Sequence, residues 1–257
     1  MTATAPVVWI VDCADAEAAQ DIHRATELGI PTGPQPPEYG FYIGRDDLGL
    51  SLHHAADEAG AGLRCALADP SQLAGRQAGG RRSPLARAFG LHRHPPMRIL
   101  DTTAGLARDA ATLASLGCDV TAVERQPALF ALIADATDRI DASPDAPPWW
   151  PHWLPPVHAD AGPWLLENIG RAIFDAIYID PMFASPRRKS APQKALAWLA
   201  ALAGNDNDAS EVLAIARRHA GRRVVVKQHA RAEPMAPPDL QIRGRAIRFD
   251  IYLTPGA

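Results

Sequence analysis

From about residue 96 to the end, the chain repeats one pattern: a short apolar run, a turn, then a segment with helical spacing. Few architectures accept it, because parallel strands joined by helices need both faces of one sheet covered and right-handed crossovers. Residues 98–101, 118–123, 157–158, 174–179 and 222–227 read as strands, and the nearly unbroken apolar run at 174–179 is that of a strand buried on both faces. Helices fit residues 106–116, closed by Gly117, then 127–139 behind Pro127, 193–202 and 210–219. Residues 240–243 and 247–253 read as a terminal antiparallel pair. The expected fold class is α/β, a Rossmann-like doubly wound sheet ending in an antiparallel hairpin.

The first 95 residues have a different texture. Short apolar pieces at 7–11, 41–43, 48–52 and 63–67 alternate with Gly- and Pro-rich turns such as 31–40, which predicts a small α+β N-terminal region of short strands. Residues 75–82 read as a flexible basic loop, and Ser83-Pro84 as an N-cap with proline in the first helical turn. The chain therefore divides into residues 1–95 and 96–257.

Composition matters for what it excludes. A hydrophobic content of 47% and a charged content of 21% are ordinary for a globular protein, and the longest apolar runs are too short to span a bilayer. No basic residue precedes the N-terminal apolar stretch, so no signal peptide is expected. Cys13, Cys65 and Cys118 are scattered without metal spacing and fit a reducing, cytoplasmic setting, with no metal implied. The net charge of -3 makes no global case for a polyanionic partner, but its distribution does. Residues 70–100 hold six arginines and no acid; 181–205 hold Arg187, Arg188, Lys189 and Lys194, again with no acid. Such stretches suit a phosphate backbone, and equally suit solvated helix faces.

In sheets of this kind ligands bind beyond the carboxyl ends of the strands. The first strand ends at Asp101, and small residues around Gly105 let the backbone approach a ligand before a helix opens with Arg108 and Asp109. The second ends in Glu124-Arg125, where an acid can accept hydrogen bonds from two ribose hydroxyls, or simply sit at a helix N-terminus. The third ends near Asp160-Ala161; that acid can meet an adenine amine or act as an N-cap. The fourth ends in Asp180-Pro181-Met182-Phe183. Proline ends the ladder and leaves carbonyls without sheet partners. Asp180 and the Pro181 carbonyl can then accept both hydrogens of a planar amine, with Phe183 stacked on its ring. An ordinary strand exit is the plainer alternative.

Asp180 to Phe183 resembles the Asp/Asn-Pro-Pro-Tyr/Phe signature of amino-group methyltransferases. The segments 101–109, 123–125, 178–183 and 223–227, with 248–252, resemble more closely the ribosomal RNA small subunit methyltransferase J family. The likeness runs continuously from about residue 79 to 252, and the first 75 residues match loosely. It implies a class I fold dependent on S-adenosylmethionine, acting on the N2 amine of a guanine in 16S rRNA, free or in the small ribosomal subunit. It places cofactor contacts on Arg108, Asp109, Glu124, Arg125, Asp160, Ala161 and Asp180. Asp101 and Gly105 join them by position, and Asp180, Pro181 and Phe183 form the catalytic corner. Three departures stand out: the loop after the corner is Arg-rich rather than Lys-rich, Asp160-Ala161 stand where a relative has two serines and so make a chemically different contact, and Ala107 stands where the family has glycine, a change that a residue already in the helix would tolerate. The corner alone would also permit methylation of a DNA adenine or a protein glutamine. A cofactor fold retained by a non-catalytic RNA-binding assembly factor is the other alternative. Trp149, Trp150 and Trp153 read as packing rather than as base-stacking groups. Lys227, at a strand end, reads as reaching either RNA or a neighbouring carboxylate.

Overall fold

A computed structural model describes residues 7–11, 17–57, 60, 62–69, 79–168, 174–181, 192–203 and 208–254. Its first part contains β1 (Val7–Ile10), α1 (Ala18–Glu27), β2 (Thr32–Gly33), β3 (Phe41–Asp46) and β4 (Gly49–His54). They form a sheet of order β2-β1-β3-β4, with β1 parallel to both neighbours and β3–β4 an antiparallel hairpin. Helix α1 is not foreshadowed by the apolar pieces, because its buried face is made of Ala18, Asp21 and Ala25, side chains too small or polar to stand out as an apolar run. Residues 63–67 do not extend the sheet: Leu63 only bridges Leu52, while Cys65 and Leu67 drop into the core.

Helix α2 (Pro84–Ala88) opens as its sequence predicts, with Ser83 Oγ accepting from the Ala86 N–H at 3.3 Å and proline in the first turn. The regular alternation then follows: β5 (Arg98–Asp101), α3 (Arg108–Ser115), β6 (Asp119–Glu124), α4 (Pro127–Asp141), β7 (Val157–His158), α5 (Ala161–Glu167), β8 (Ala176–Ile179), α6 (Pro192–Ala203), α7 (Ala209–His219), β9 (Arg223–His229), β10 (Leu240–Arg243) and β11 (Ile247–Leu253). The large sheet has the order β10-β11-β9-β8-β5-β6-β7. Its strands β5 to β9 run parallel; β11 is antiparallel to β9, and β10 to β11. The expected fold class is the observed one.

Strand periodicity sorts the core into two layers. Ile99, Tyr178 and Val225 face one side, where α3, α4 and the small N-terminal sheet share a continuous core. Leu100, Ile177, Ile179, Val224 and Val226 face the other, against α5 and α7. Each fully buried aliphatic side chain contributes about 1.5–3 kcal/mol relative to exposure, so both faces hold β8 at the centre of the sheet. Helix α2 packs on β10 and β11, and α4 on β4. The tryptophan-rich loop packs as expected: Trp150 and Trp153 are buried, and their indole N–H groups donate to Asp141 Oδ1 at 2.6 Å and Thr137 Oγ1 at 3.1 Å.

Candidate active site

The carboxyl ends of β5, β6, β8 and β9 open into one cleft of about 350 Å3, a volume suited to a small organic ligand. Asp101, Gly105, Arg108, Asp109, Glu124, Arg125, Ala161 and Asp180 line it, so four strand-end segments distant in sequence meet there. Asp160 is placed differently. It is exposed at the entry to α5 and is not part of the cleft lining, and its carboxylate makes no capping bond. Pro181 is buried beside the corner. Phe183, and with it Met182, Arg187, Arg188 and Lys189, lies outside the described residues.

The turn after β5 explains how backbone reaches the cleft. Gly105 and Ala107 both adopt left-handed conformations, with φ of 57° and 53°. The expectation that Ala107 is already helical is therefore corrected: it precedes α3 and carries the backbone strain that a glycine would avoid. Its methyl group is completely buried, which holds the strained geometry in place. Glu124 locks the same turn. Its Oε2 accepts from the Gly105 N–H and its Oε1 from the Gln126 N–H, both at 2.7 Å. The acid thus serves the entry of α4 and forms a cleft wall at once.

At the other end of the cleft acids gather around one cation. Lys227 Nζ donates to Asp109 Oδ2 at 2.8 Å and to Asp180 Oδ2 at 2.7 Å. The Tyr178 hydroxyl donates to the same Asp109 oxygen at 2.7 Å, and the Asp180 N–H to Thr103 Oγ1 at 2.7 Å. Burial would lower the Lys227 pKa, but Asp109 and Asp180 outweigh it and hold the ammonium above its ordinary range. Burial pushes Asp101 up to about 8, assisted by the charges of Asp109, Asp180 and Glu124 and opposed by the Thr103 N–H. Burial likewise raises the Tyr178 phenol. Burial therefore favours the protonated form of Asp101.

Of the two readings of Lys227, the structure selects the carboxylate partner. Sequence reasoning did not bring Thr103, Tyr178, Asp208 or the apolar wall of Leu129, Leu199 and Val212 to the site. Tyr178 was readable only as a core strand residue, and Asp208 enters through an ion pair with Arg125 at 3.0 Å. A cleft with acids at both ends and an apolar wall between suits a ligand with hydroxyls at one end, an aromatic ring, and positive charge at the other. S-adenosylmethionine, with its ribose, adenine and sulfonium, has that make-up.

A seven-stranded sheet of this order with a cleft over its parallel strand ends defines a class I SAM-dependent methyltransferase. A family model for SAM-dependent methyltransferases matches residues 35–254. The crystal structure of a SAM-dependent methyltransferase from Neisseria gonorrhoeae superposes with a TM-score of 0.74 at 28% identity, covering 98% of this chain and 97% of that one. Proteins named ribosomal RNA small subunit methyltransferase J from Thioalkalivibrio sulfidiphilus and Alkalilimnicola ehrlichii are 37% and 38% identical to it. These alignments cover 90% and 92% of this chain, and 91% and 90% of the relatives. The chain belongs to the ribosomal RNA small subunit methyltransferase J family.

Proposed function

We propose that the protein methylates the exocyclic N2 amine of a guanine in 16S rRNA. The observation that carries this reading is the Asp180 carboxylate, held at the end of β8 in the same cleft as Glu124. The names of the relatives support the rRNA assignment; the corner calls for a planar exocyclic amine, and the family resemblance narrows that amine to guanine N2. When bound, S-adenosylmethionine supplies an electrophilic methyl group on a sulfonium. Glu124 and its neighbours Gly105 and Arg125 would hold the adenosine end, Ala161 and the apolar wall the adenine, and Asp101, Arg108 and Asp109 the amino-acid end. Asp160 would act from the rim.

The remaining work falls to positioning. Guanine N2 is a weak base whose lone pair is delocalised into the ring, so no strong general base is needed before attack. Asp180 and the Pro181 carbonyl accept the two amine hydrogens and aim the nitrogen into the cleft, while Phe183 stacks on the base. The nitrogen becomes acidic only as the new bond forms, and its surplus proton passes then to Asp180 or to water. Residues 1–95, with exposed Arg82, Arg87 and Arg93, and the basic segment 187–189 would dock the RNA backbone. A cytoplasmic location accords with this role; no helix among the described residues is long and apolar enough to cross a membrane.

Mass mapping of methylated nucleotides in 16S rRNA, with wild-type enzyme and with Asp180→Ala, tests the proposal. The expected result is one N2-methylguanine that is lost with Asp180→Ala while cofactor binding persists. Transfer to DNA or protein instead, RNA binding without any turnover, or an Asp180→Ala enzyme of wild-type rate would each overturn it.

A further inference from the structure

Strand β9 delivers Lys227 to a place where it joins two parts of the cleft. Asp109 stands in the first turn of α3, on the ligand-binding turn, whereas Asp180 stands at the corner proposed to receive the amine. A single ammonium bonds to both at 2.8 and 2.7 Å. The other titratable and charged groups lining the cleft on neighbouring elements are Asp101 from β5, Arg108 from α3, Glu124 from β6 and Tyr178 from β8, with Arg125 paired to Asp208. Acids therefore outnumber the cations, and carboxylates crowded without a counter-ion would share protons rather than all ionise. A mostly buried ammonium is also costly to desolvate, and well-packed apolar residues serve stability as well or better. This cation is placed to serve both carboxylates, Asp109 and Asp180.

We propose that Lys227 is a positioning residue for methyl transfer, holding the Asp180 carboxylate oriented and ionised so that it accepts the hydrogen bond of the substrate amine. Lys227 fixes Asp180 Oδ2 from the side of β9 while Thr103 fixes the Asp180 backbone from the side of β5. The carboxylate is thereby constrained from two neighbouring strands before substrate arrives, which is the preorganisation that amine alignment requires. Tyr178 holds Asp109 in turn, so that Lys227 has a second fixed anchor. The inference rests on the reading of Asp180 as amine acceptor.

The test compares Lys227→Met, Lys227→Gln and Lys227→Arg with wild type in single-turnover methyl transfer to 16S rRNA at saturating S-adenosylmethionine, across roughly pH 6 to 9. Calorimetric cofactor affinity and thermal unfolding are measured alongside. At saturating cofactor, Lys227→Met is expected to transfer methyl about 100-fold more slowly at neutral pH, the scale of a misaligned reacting group, beyond any change in cofactor affinity that follows from its bond to Asp109. The ratio of its rate to the wild-type rate should climb with pH, because Asp180 without its cation holds a proton that higher pH removes. Lys227→Gln, which keeps a donor but no charge, should show the same climb and covers the case in which the methionine variant fails to fold. Lys227→Arg should keep a ratio that does not change with pH. Wild-type rates, a ratio constant across pH in Lys227→Met and Lys227→Gln, or a defect confined to cofactor affinity would overturn the role. Asp180→Ala run in parallel separates the two readings. A fast Asp180→Ala enzyme removes Asp180 itself as acceptor, whereas a slow one beside a wild-type-like Lys227→Met removes only Lys227.

Discussion

Asp101 shows how far a single carboxyl can depart from its usual chemistry when a strand ends inside a core. It is buried, receives the Thr103 N–H at 3.1 Å, and titrates at about 8 rather than 3.8. The unfolded chain gives up this proton near pH 4, but the folded protein keeps it until about 8. Between those values the folded state binds more protons, so this group makes stability fall as pH rises. Asp101→Asn removes the titration while keeping the acceptor. Urea unfolding at pH 5, 6.5 and 8 should show the variant gaining on wild type at each step, on the order of 1 kcal/mol or more across the series. Identical pH slopes for both proteins would mean that Asp101 is ionised in the folded state. Ala107 is the other residue whose meaning only the fold reveals: its left-handed backbone is invisible in a run that reads Ala-Gly-Leu-Ala.

At the scale of elements, a buried charge network ties the small sheet to the large one. Arg45 of β3 donates through Nε and Nη2 to the two oxygens of Asp21 in α1, at 2.8 and 2.7 Å, and Nη2 also meets Asp135 of α4 at 2.9 Å. Asp135 further accepts the Leu50 N–H of β4 at 3.0 Å and Arg139 Nε at 2.9 Å. The Asp21 and Asp135 side chains are 4% exposed, so removing the arginine takes the two-pronged partner from buried Asp21 and leaves buried Asp135 with Arg139 and the Leu50 N–H. Arg45→Ala should cost about 3–5 kcal/mol in chemical denaturation, whereas exposed pairs such as Arg125–Asp208 are worth at most about 1 kcal/mol. A loss below 1 kcal/mol would place Arg45 among the surface pairs. The same helix α4 contributes Leu129 to the cleft, so the network also braces a cleft wall.

At the scale of the whole molecule, the continuous core linking β1, β3 and β4 with β5, β6 and α4 implies that the N-terminal sheet does not melt by itself. Tryptophan fluorescence, with Trp9 in the small sheet and Trp150 and Trp153 beside α4, should trace the same unfolding transition as far-UV circular dichroism. S-adenosylmethionine at 100 times its Kd should shift both together by about 2.7 kcal/mol. Separate transitions, with only one moved by cofactor, would show two independent folding units.

Local patterning along the chain already specified the parallel strands, the caps at Ser83 and Gly117, and the terminal hairpin, because a two-residue period and turn chemistry are properties of neighbours in sequence. It also named nearly every acid of the cleft, because in such sheets ligands gather at strand ends. Tertiary structure decided the rest. It placed Asp160 at the rim although its position in the pattern matches that of Glu124, it turned Ala107 left-handed, and it formed α1 around a buried face of two alanines and an aspartate. Above all it brought Lys227 of β9 between Asp109 and Asp180, residues 118 and 47 positions away. A strand-end lysine carries no local mark of its partner. Which carboxylates it meets depends on β9 lying beside β8, and on α3 beginning where Ala107 turns the chain.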